Sequence, residues 1–153
     1  MFKTSTAGRN QIKAYEALRL TGYLPTPKDV PTIGWGHTGP EVSLGMVIDE
    51  PKAEAFLDQD LAPVEAAINS IVTAPLLQAQ FDALVSLIFN VGIPGFKKSH
   101  LLICINAGNA AGIEANWLDW NRQGGVVLAG LKARRIKEFT QFRGATLPPA
   151  APK

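Results

Sequence analysis

Glu16 is the residue of this sequence best placed to act as an acid. It lies four residues from both Ile12 and Leu20 in a helical pattern over residues 7–20, which puts a carboxyl on an apolar helix face. Burial disfavours the charged form of a carboxyl, and a carboxyl that keeps its proton can serve as a general acid. The alternative is a structural acid paired with Arg19 or with a basic residue from the C-terminal helix.

A glycine-rich segment follows Glu16 at short range. Thr32 opens the stretch TIGWGHT, and Gly34, Gly36 and Gly39 let the backbone and a ligand approach each other closely. An acid beside such a segment suits the cleavage of a glycosidic bond, because the leaving oxygen must be protonated as the bond breaks. Glu16 and this segment are therefore the first candidates for a catalytic site.

Several fragments of the chain together resemble one family. Glu16, LRLTGY, TIGWGHTGP and GLKARRIKE, in this order and at these separations, are similar to the phage-type lysozymes, the endolysins of glycoside hydrolase family 24. The resemblance continues through DALVSLIFNVGIPGFKKSHLL, INAGN and WLDWNRQGG and covers roughly residues 9–142. It implies an N-acetylmuramidase that hydrolyses the β-1,4 bond between N-acetylmuramic acid and N-acetylglucosamine in bacterial peptidoglycan and so lyses the host cell. It also implies a helical lobe joined by a long helix to a small lobe with a short β-sheet.

The catalytic triad that the resemblance implies is only partly present. The family has a Glu, then an Asp or Cys nine residues on, then a Thr six residues further, and Glu16 and Thr32 match its ends. Nine residues from Glu16 is Pro25, whereas six residues before Thr32 is Thr26. The intervening loop is thus one residue longer than the family pattern and has no acid at the expected place. Its only carboxylate is Asp29.

Three interpretations of this loop stay open. Asp29 supplies the base that holds the attacking water, or Thr26 and Thr32 position the water through their hydroxyls while Glu16 carries most of the rate. In the third, the enzyme is much weakened or its reaction has changed. Assistance by a general base is typically worth about 10²–10⁴ in rate, so its loss slows an enzyme without abolishing activity. Asp29 also has a structural interpretation, because Asp is a common turn residue.

Neutral N-acetyl sugars bind to amides, hydroxyls and aromatic faces that line a groove. The resemblance implies that Asn90 is the amide facing the cleft and that Trp120 and Asn121 are the family's aromatic and polar pair. For Trp117, Trp120 and Phe89, packing in the core is the stronger interpretation, because large aromatics at helical spacing usually pack.

Composition and charge limit the other kinds of site. With two histidines and the single Cys104 in apolar surroundings, no zinc spacing exists, and we expect neither a metal nor an organic cofactor. His37, in GWGHT, is interpreted as a hydrogen-bonded structural residue. A net charge of +2 does not favour a nucleic-acid partner. Arg134 and Arg135 are predicted to form a solvated basic face.

The fold class predicted is α+β and lysozyme-like, mostly helical, with residues 1–144 as one domain. A small β lobe at about 21–48 is expected within it, because the helical stripe gives way to β-branched and turn residues.

Asp49 is a candidate N-cap, and Pro63 is expected to disturb the helix that follows Asp49. The Pro/Ala-rich residues 145–153 are expected to form a disordered tail. Helices are predicted at residues 7–20, from about 50 toward 72, 77–91, 99–106, 109–121 and 130–142.

The sequence also carries expectations about location and partners. It shows no N-terminal signal pattern and no stretch near the roughly 20 apolar residues that span a bilayer, so we expect a soluble monomer made in the host cytoplasm. By resemblance, it reaches peptidoglycan from the periplasmic side once a holin has opened the membrane. Two other functions are weighed: a lytic transglycosylase that uses Glu16 alone, and a peptidoglycan-binding module with weakened catalysis.

Overall fold

The structure is a computed structural model that describes residues 1–145. The predicted tail at 145–153 therefore lies, apart from Ala145, outside the described residues. Its elements in chain order are α1 (Thr6–Glu16), β1 (Arg19–Tyr23), β2 (Thr32–Gly34), β3 (His37–Thr38), α2 (Glu50–Ile71), α3 (Gln78–Val91), α4 (Ile93–Lys97), α5 (His100–Ala107), α6 (Ala110–Leu118), β4 (Arg122–Gln123), β5 (Val126–Val127) and α7 (Ala129–Gly144). The predicted α+β class is confirmed, since helices dominate and the strands are short.

The chain divides into two compact units, each with its own core. One unit is Arg9–Pro63, and the other is Met1–Gly8 together with the chain from Val64 onward. The small antiparallel sheet that the fold class predicts is present as β1–β2–β3 within Arg9–Pro63, while the bounds of a β lobe at about 21–48 stay a prediction. That residues 1–144 form one domain stays a prediction.

In the unit Arg9–Pro63, the antiparallel sheet packs with α1 and the first part of α2. Tyr23 pairs with Thr32 across β1 and β2, and Ile33 pairs with His37 across β2 and β3. This register keeps the hairpin of β2 and β3 in a fixed position. The buried apolar side chains of the unit are Ile12, Ile33, Trp35, Val42, Ile48, Ala53, Phe56, Leu57 and Leu61.

Helix α1 ends four residues earlier than the apolar pattern predicts. Ala17 adopts a left-handed backbone with φ +53°, which a helix cannot continue through. The chain then enters β1, where the Leu20 carbonyl accepts a hydrogen bond from the Ile48 amide at 2.9 Å. The prediction of a helix over residues 7–20 is therefore wrong at its end, and Glu16 is the last helical residue.

The start of α2 follows its local signals. The Asp49 carboxylate accepts a hydrogen bond from the Lys52 amide at 2.9 Å, which confirms the predicted N-cap. Proline lacks an amide donor, yet the helix continues through Pro63 to Ile71. The predicted disturbance at this proline therefore does not interrupt the helix.

The second unit is built around α3, the predicted central helix. Phe81, Leu84 and Ile88 are buried as the stripe predicts, and α7 packs along α3. Helices α5 and α6 begin at the side-chain caps Ser99 and Asn109. Helix α6 ends at Leu118, three residues before the predicted end.

A short hairpin, which the sequence analysis did not predict, follows α6. Strands β4 and β5 pair antiparallel, with Gln123 opposite Val126. Gly124 and Gly125 both have positive φ, +58° and +81°. This is the backbone of a type I′ two-residue turn, which glycine adopts without strain.

Candidate active site

The Glu16 carboxyl lies against the turn between β2 and β3. A Cβ atom at Gly36 would be 3.0 Å from the Glu16 Oε2 atom, and Glu16 itself is half-buried. Gly36 also has φ +78°, a backbone that side chains rarely adopt. The structure thus brings Glu16 to the glycine-rich segment, as the sequence predicts.

The buried side chain of His37, which follows the turn directly, holds it in position. The His37 ring is 2% exposed, and its Nδ1 and Nε2 atoms lie 2.9 Å from Asp60 and 2.6 Å from Glu41. The same ring stacks on Phe56, with centroids 4.0 Å apart. Both ring nitrogens therefore have carboxylate partners, in agreement with the structural interpretation of this histidine.

The two carboxyls that hold His37 respond differently to their surroundings. Burial raises the pKa of Asp60, and the hydrogen bond to His37 opposes that shift. For the exposed Glu41, the hydrogen bond to His37 lowers the pKa. The pKa shifts of the two acids have opposite signs because desolvation is the largest influence on Asp60 and the hydrogen bond to His37 is the largest influence on Glu41.

Thr32 is buried on β2, in the hairpin whose turn contacts Glu16. Its Oγ1 donates a hydrogen bond to the Val30 carbonyl at 3.0 Å. Since this bond uses the hydroxyl proton, the oxygen lone pairs are what the side chain can offer to a water. The side chain is suited to accept a hydrogen bond from a water and to orient it.

The lengthened loop before Thr32 contains a β-turn. The Asp29 amide donates to the Thr26 carbonyl at 3.0 Å, and Pro27 occupies the second position of the turn, which it favours. Thr26 and Asp29 are both exposed. The turn thus brings the two candidates for the missing acid position close together in the loop, while the role of each stays a prediction.

Two of the three predicted sugar-binding residues line one cavity in the second unit. Asn90, near the end of α3, and Trp120, just after α6, both contribute to a cavity of about 380 Å³. The Asn90 Oδ1 atom accepts a hydrogen bond from Arg135 Nη2 at 2.5 Å. This bond sets the orientation of the amide, so the structure groups Asn90 with Trp120.

Asn121 does not line this cavity. Its backbone carbonyl accepts a hydrogen bond from the Leu128 amide at 3.0 Å and so closes the base of the hairpin. Its Oδ1 atom is buried and has no hydrogen-bond partner within residues 1–145. These contacts favour a structural role, and sugar binding by Asn121 stays a prediction.

The aromatic residues of this region separate into core and surface. Trp117 is fully buried and lies 5.1 Å from Phe142 and 6.2 Å from Phe139, between ring centroids. The core interpretation of Trp117 is therefore confirmed. Trp120 is half-buried and contacts two cavities, so the core interpretation does not account for its position.

The predicted solvated basic face on α7 is wrong. Arg134 is 7% exposed and Arg135 is fully buried, because both face Glu138. Arg134 also donates to the Ser86 carbonyl at 3.0 Å, and the Ser86 hydroxyl donates to Glu138. Burial raises the pKa of Glu138, and the two arginines oppose that shift.

Sequence reasoning missed Arg122 and Gln123, which line the cavity beside Trp120. The signal was present, because a Gly-Gly pair flanked by extended residues is typical of a two-residue hairpin. In such a hairpin the strand before the turn, β4, pairs with the strand after it, β5, and this pairing fixes the positions of Arg122 and Gln123. Its omission is why neither residue was a candidate.

Residues 1–145 show neither a metal-ligating cluster nor a helix that could span a membrane. In this part of the chain, no group of three or more His, Cys, Asp or Glu side chains is arranged to hold a metal ion. Over the same residues, every helix is too short or too polar to cross a bilayer.

The fold is that of a lysozyme-like protein, and comparisons with known proteins give the same class. The muramidase domain of SpmX from Asticaccaulis excentricus has a TM-score of 0.84 at 37% identity over 93% of this chain and 98% of that one. A single-site mutant of P22 lysozyme has a TM-score of 0.82 at 37% identity over 94% of this chain and 99% of that one.

The family follows from a second comparison. The phage lysozyme family matches residues 13–138. The endolysin of Bacillus phage B103 is 43% identical over 140 residues, which are 90% of this chain and 53% of that protein. The chain belongs to the phage lysozyme family, and it spans about half the length of this relative.

Proposed function

We propose that this protein is an endolysin: an N-acetylmuramidase that hydrolyses the β-1,4 bond between N-acetylmuramic acid and N-acetylglucosamine in peptidoglycan. The observation that carries the proposal is the Glu16 carboxyl packed against the turn at Gly36. Membership of the phage lysozyme family and the likeness to a muramidase domain support it.

In this proposal Glu16 is the general acid. It donates its proton to the glycosidic oxygen as the bond to the muramic acid C1 atom breaks, and a water attacks that carbon. Thr32 holds the water through its hydroxyl oxygen. Asp29, the only carboxylate of the loop, takes the water proton, and Thr26 is the alternative that orients the water without accepting a proton.

Glu16→Gln tests the acid. We expect this variant to clear permeabilised Gram-negative cells roughly 10²–10⁴-fold more slowly than the parent, because an amide cannot donate the proton. Glu50→Gln, which makes the same change at an exposed residue of α2, is the matched control and should leave the rate unchanged. Clearing by Glu16→Gln at the parent rate would refute the assignment.

The loop needs its own comparison. If Asp29 is the base, Asp29→Asn loses activity while Thr26→Ala retains it, and the reverse pattern assigns the water to Thr26. Thr26→Asp returns an acid to the position counted back from Thr32, and a gain in rate would show that this position faces the water. Equal rates for the parent, Asp29→Asn and Thr26→Ala would remove both residues from the mechanism.

The products distinguish hydrolysis from its closest competitor. A lytic transglycosylase leaves 1,6-anhydro ends, because the 6-hydroxyl of the sugar attacks instead of water. Mass analysis of digested peptidoglycan should give reducing muramic acid ends. A binding module without catalysis would be retained on peptidoglycan and release neither product.

We further propose that the protein acts as a monomer on the periplasmic face of the wall after a holin permeabilises the membrane. This proposal is supported by the resemblance to phage endolysins. Expression in Gram-negative cells with and without a holin tests it, since lysis should require the holin.

A further inference from the structure

The β4–β5 hairpin and the first turns of α7 form an exposed and partly apolar surface of the second unit. Every residue from Arg122 to Gly130 is exposed. Four large apolar side chains lie within residues 126–136, and their exposed fractions are 62% for Val126, 48% for Val127, 37% for Leu128 and 48% for Ile136. Single exposed apolar residues are common, but a group of neighbours marks a site of interaction. We call residues 122–137 the hairpin–helix surface.

Neither local propensity nor packing accounts for all four apolar side chains. Valine favours strands, which explains Val126 and Val127 in β5. Ile136 lies on α7, and a β-branched residue is not favoured in a helix. Its side chain is outside the core, which α7 reaches instead through Phe139 and Phe142. Contact with a partner would account for the exposure of this isoleucine.

The charges of the hairpin–helix surface have one sign. Residues 122–137 contain five basic residues and no acidic residue. Two of the five are buried in α7, whereas Arg122, Lys132 and Lys137 are exposed. The described part of the second unit has the same bias, because residues 1–8 and 64–145 carry nine basic and five acidic side chains. A partner of this surface should therefore be anionic as well as apolar.

A bilayer with anionic lipids fits this combination. A protein that lies on a membrane inserts apolar side chains at the boundary between headgroups and acyl chains, and its basic side chains are attracted to anionic headgroups. Lys132 can lay its methylene stem along apolar neighbours and keep its ammonium group at headgroup level. A protein partner is less well matched, because a stable interface of ordinary size takes about 800 Å² from each side. Four side chains on a narrow hairpin and one helix offer less than this area.

We propose that the hairpin–helix surface binds peripherally to anionic lipid bilayers. Val126, Val127 and Ile136 enter the boundary between headgroups and acyl chains, while Lys132 lies at the anionic headgroups. This inference goes beyond the proposed function and does not rest on it, because it involves none of the proposed catalytic residues. Its consequence is that the protein gathers on membranes that expose anionic lipid.

Vesicle sedimentation tests this proposal with the full chain. The parent is mixed with vesicles of phosphatidylcholine alone and with vesicles of an equal mixture of phosphatidylglycerol and phosphatidylcholine. The variants are Lys132→Gln, Ile136→Gln and the double change Val126→Thr with Val127→Thr, which keeps the β-branched shape that suits a strand. Val47→Thr makes the same change at a valine that is 74% exposed in the unit Arg9–Pro63, and it is the matched control.

We expect the parent to bind the anionic vesicles at least about tenfold more tightly than the neutral ones. Because salt screens the charges, this preference should shrink at about 1 M salt. Lys132→Gln should weaken binding to the anionic vesicles roughly fivefold, and the double valine variant roughly tenfold. Ile136→Gln should weaken it as well. Val47→Thr, and Lys28→Gln at an exposed lysine of the same unit, should bind as the parent does.

Equal binding of the parent to both kinds of vesicle, or binding to neither, would overturn the proposal. An equal loss in Val47→Thr and in the double valine variant would overturn it too. A dimer in sedimentation velocity that the double variant loses, without binding of the parent to vesicles, would assign the surface to a second copy of this chain instead. Ile136→Gln changes α7 and not the hairpin, so it decides the outcome if the hairpin variant does not fold.

Discussion

At the scale of single residues, the absence of a side chain at Gly36 matters as much as the carboxyl of Glu16. Two independent features require glycine there: the positive φ of +78° and the 3.0 Å approach of Glu16 Oε2 to the site of a Cβ atom. The positive φ strains the backbone of any other residue, whatever lies nearby. The second ties the turn to the position of the acid, so a methyl group at this place must displace the carboxyl or the turn.

Gly36→Ala separates these two costs when it is compared with Gly45→Ala. Gly45 has the same φ of +78° but open space around its Cβ position. Both variants should lose about 1 kcal/mol of unfolding free energy from backbone strain. Only Gly36→Ala should also lose most of its lytic rate. Denaturant unfolding and the turbidity assay measure the two effects, and equal lytic rates would show that the approach to Glu16 is unimportant.

At the scale of elements, α1 is held to α2 by ion pairs on one face. Glu54 accepts from Arg9 at 2.6 Å and also pairs with Lys13, while Asp58 binds the other side of the Arg9 guanidinium. The hydrogen bond from Lys13 is the main reason why the pKa of Glu54 is lowered below its usual 4.5. The ion pairs of Arg9 and Lys13 therefore hold α1, the helix that ends in Glu16, against α2.

This pairing predicts a pH dependence of stability. A carboxyl whose pKa is lowered by folding stabilises the fold above its unfolded pKa of about 4.5, and the contribution disappears as pH falls through the lower folded pKa. Compared with Glu54→Gln, the parent should be more stable by about 0.5–1 kcal/mol at pH 7, since these side chains are partly exposed. The difference should vanish at a pH below the folded pKa, where both side chains are neutral. Unfolding at a series of pH values checks this, and a difference that does not change with pH contradicts it.

At the scale of the whole molecule, the two units are stabilised in different ways. The core of Arg9–Pro63 is apolar around the buried His37, whereas the second unit encloses the charges of Arg134, Arg135 and Glu138 between α3 and α7. Ion pairs in such places are costly to break, because the charges left behind are buried. The second unit therefore depends on a polar cluster as well as on its apolar core.

Glu138→Gln should reveal that dependence. Removing the carboxylate leaves two buried guanidinium groups without its charge, and we expect a loss of about 3–5 kcal/mol in unfolding free energy. Glu114→Gln, at an exposed position of α6, should change it by less than about 0.5 kcal/mol. Calorimetric unfolding of the two variants measures the difference, and similar stabilities would show that the cluster contributes little.

Local signals were enough for much of the fold. The caps Asp49, Ser99 and Asn109 lie directly before the helices they begin, and the stripe of α3 follows from residues three and four apart. The order of Glu16, the glycine-rich segment and the later motifs was sufficient to indicate the family. These features depend on residues close together in the chain, which is why the sequence alone determined them.

Only the tertiary structure decided which side chains are buried and which share a surface. Arg134 looks like a surface residue within its own helix, and its burial is decided by Ser86, 48 residues away. The end of α1 likewise depends on the pairing of the next strand with a distant segment, where the Ile48 amide donates to the Leu20 carbonyl. Asn90 and Arg122 line the same cavity because the β4–β5 hairpin lies beside the end of α3. In each case contacts with residues distant in the chain override the local preference. Those contacts form only on folding, so the pattern of neighbouring residues could not predict them.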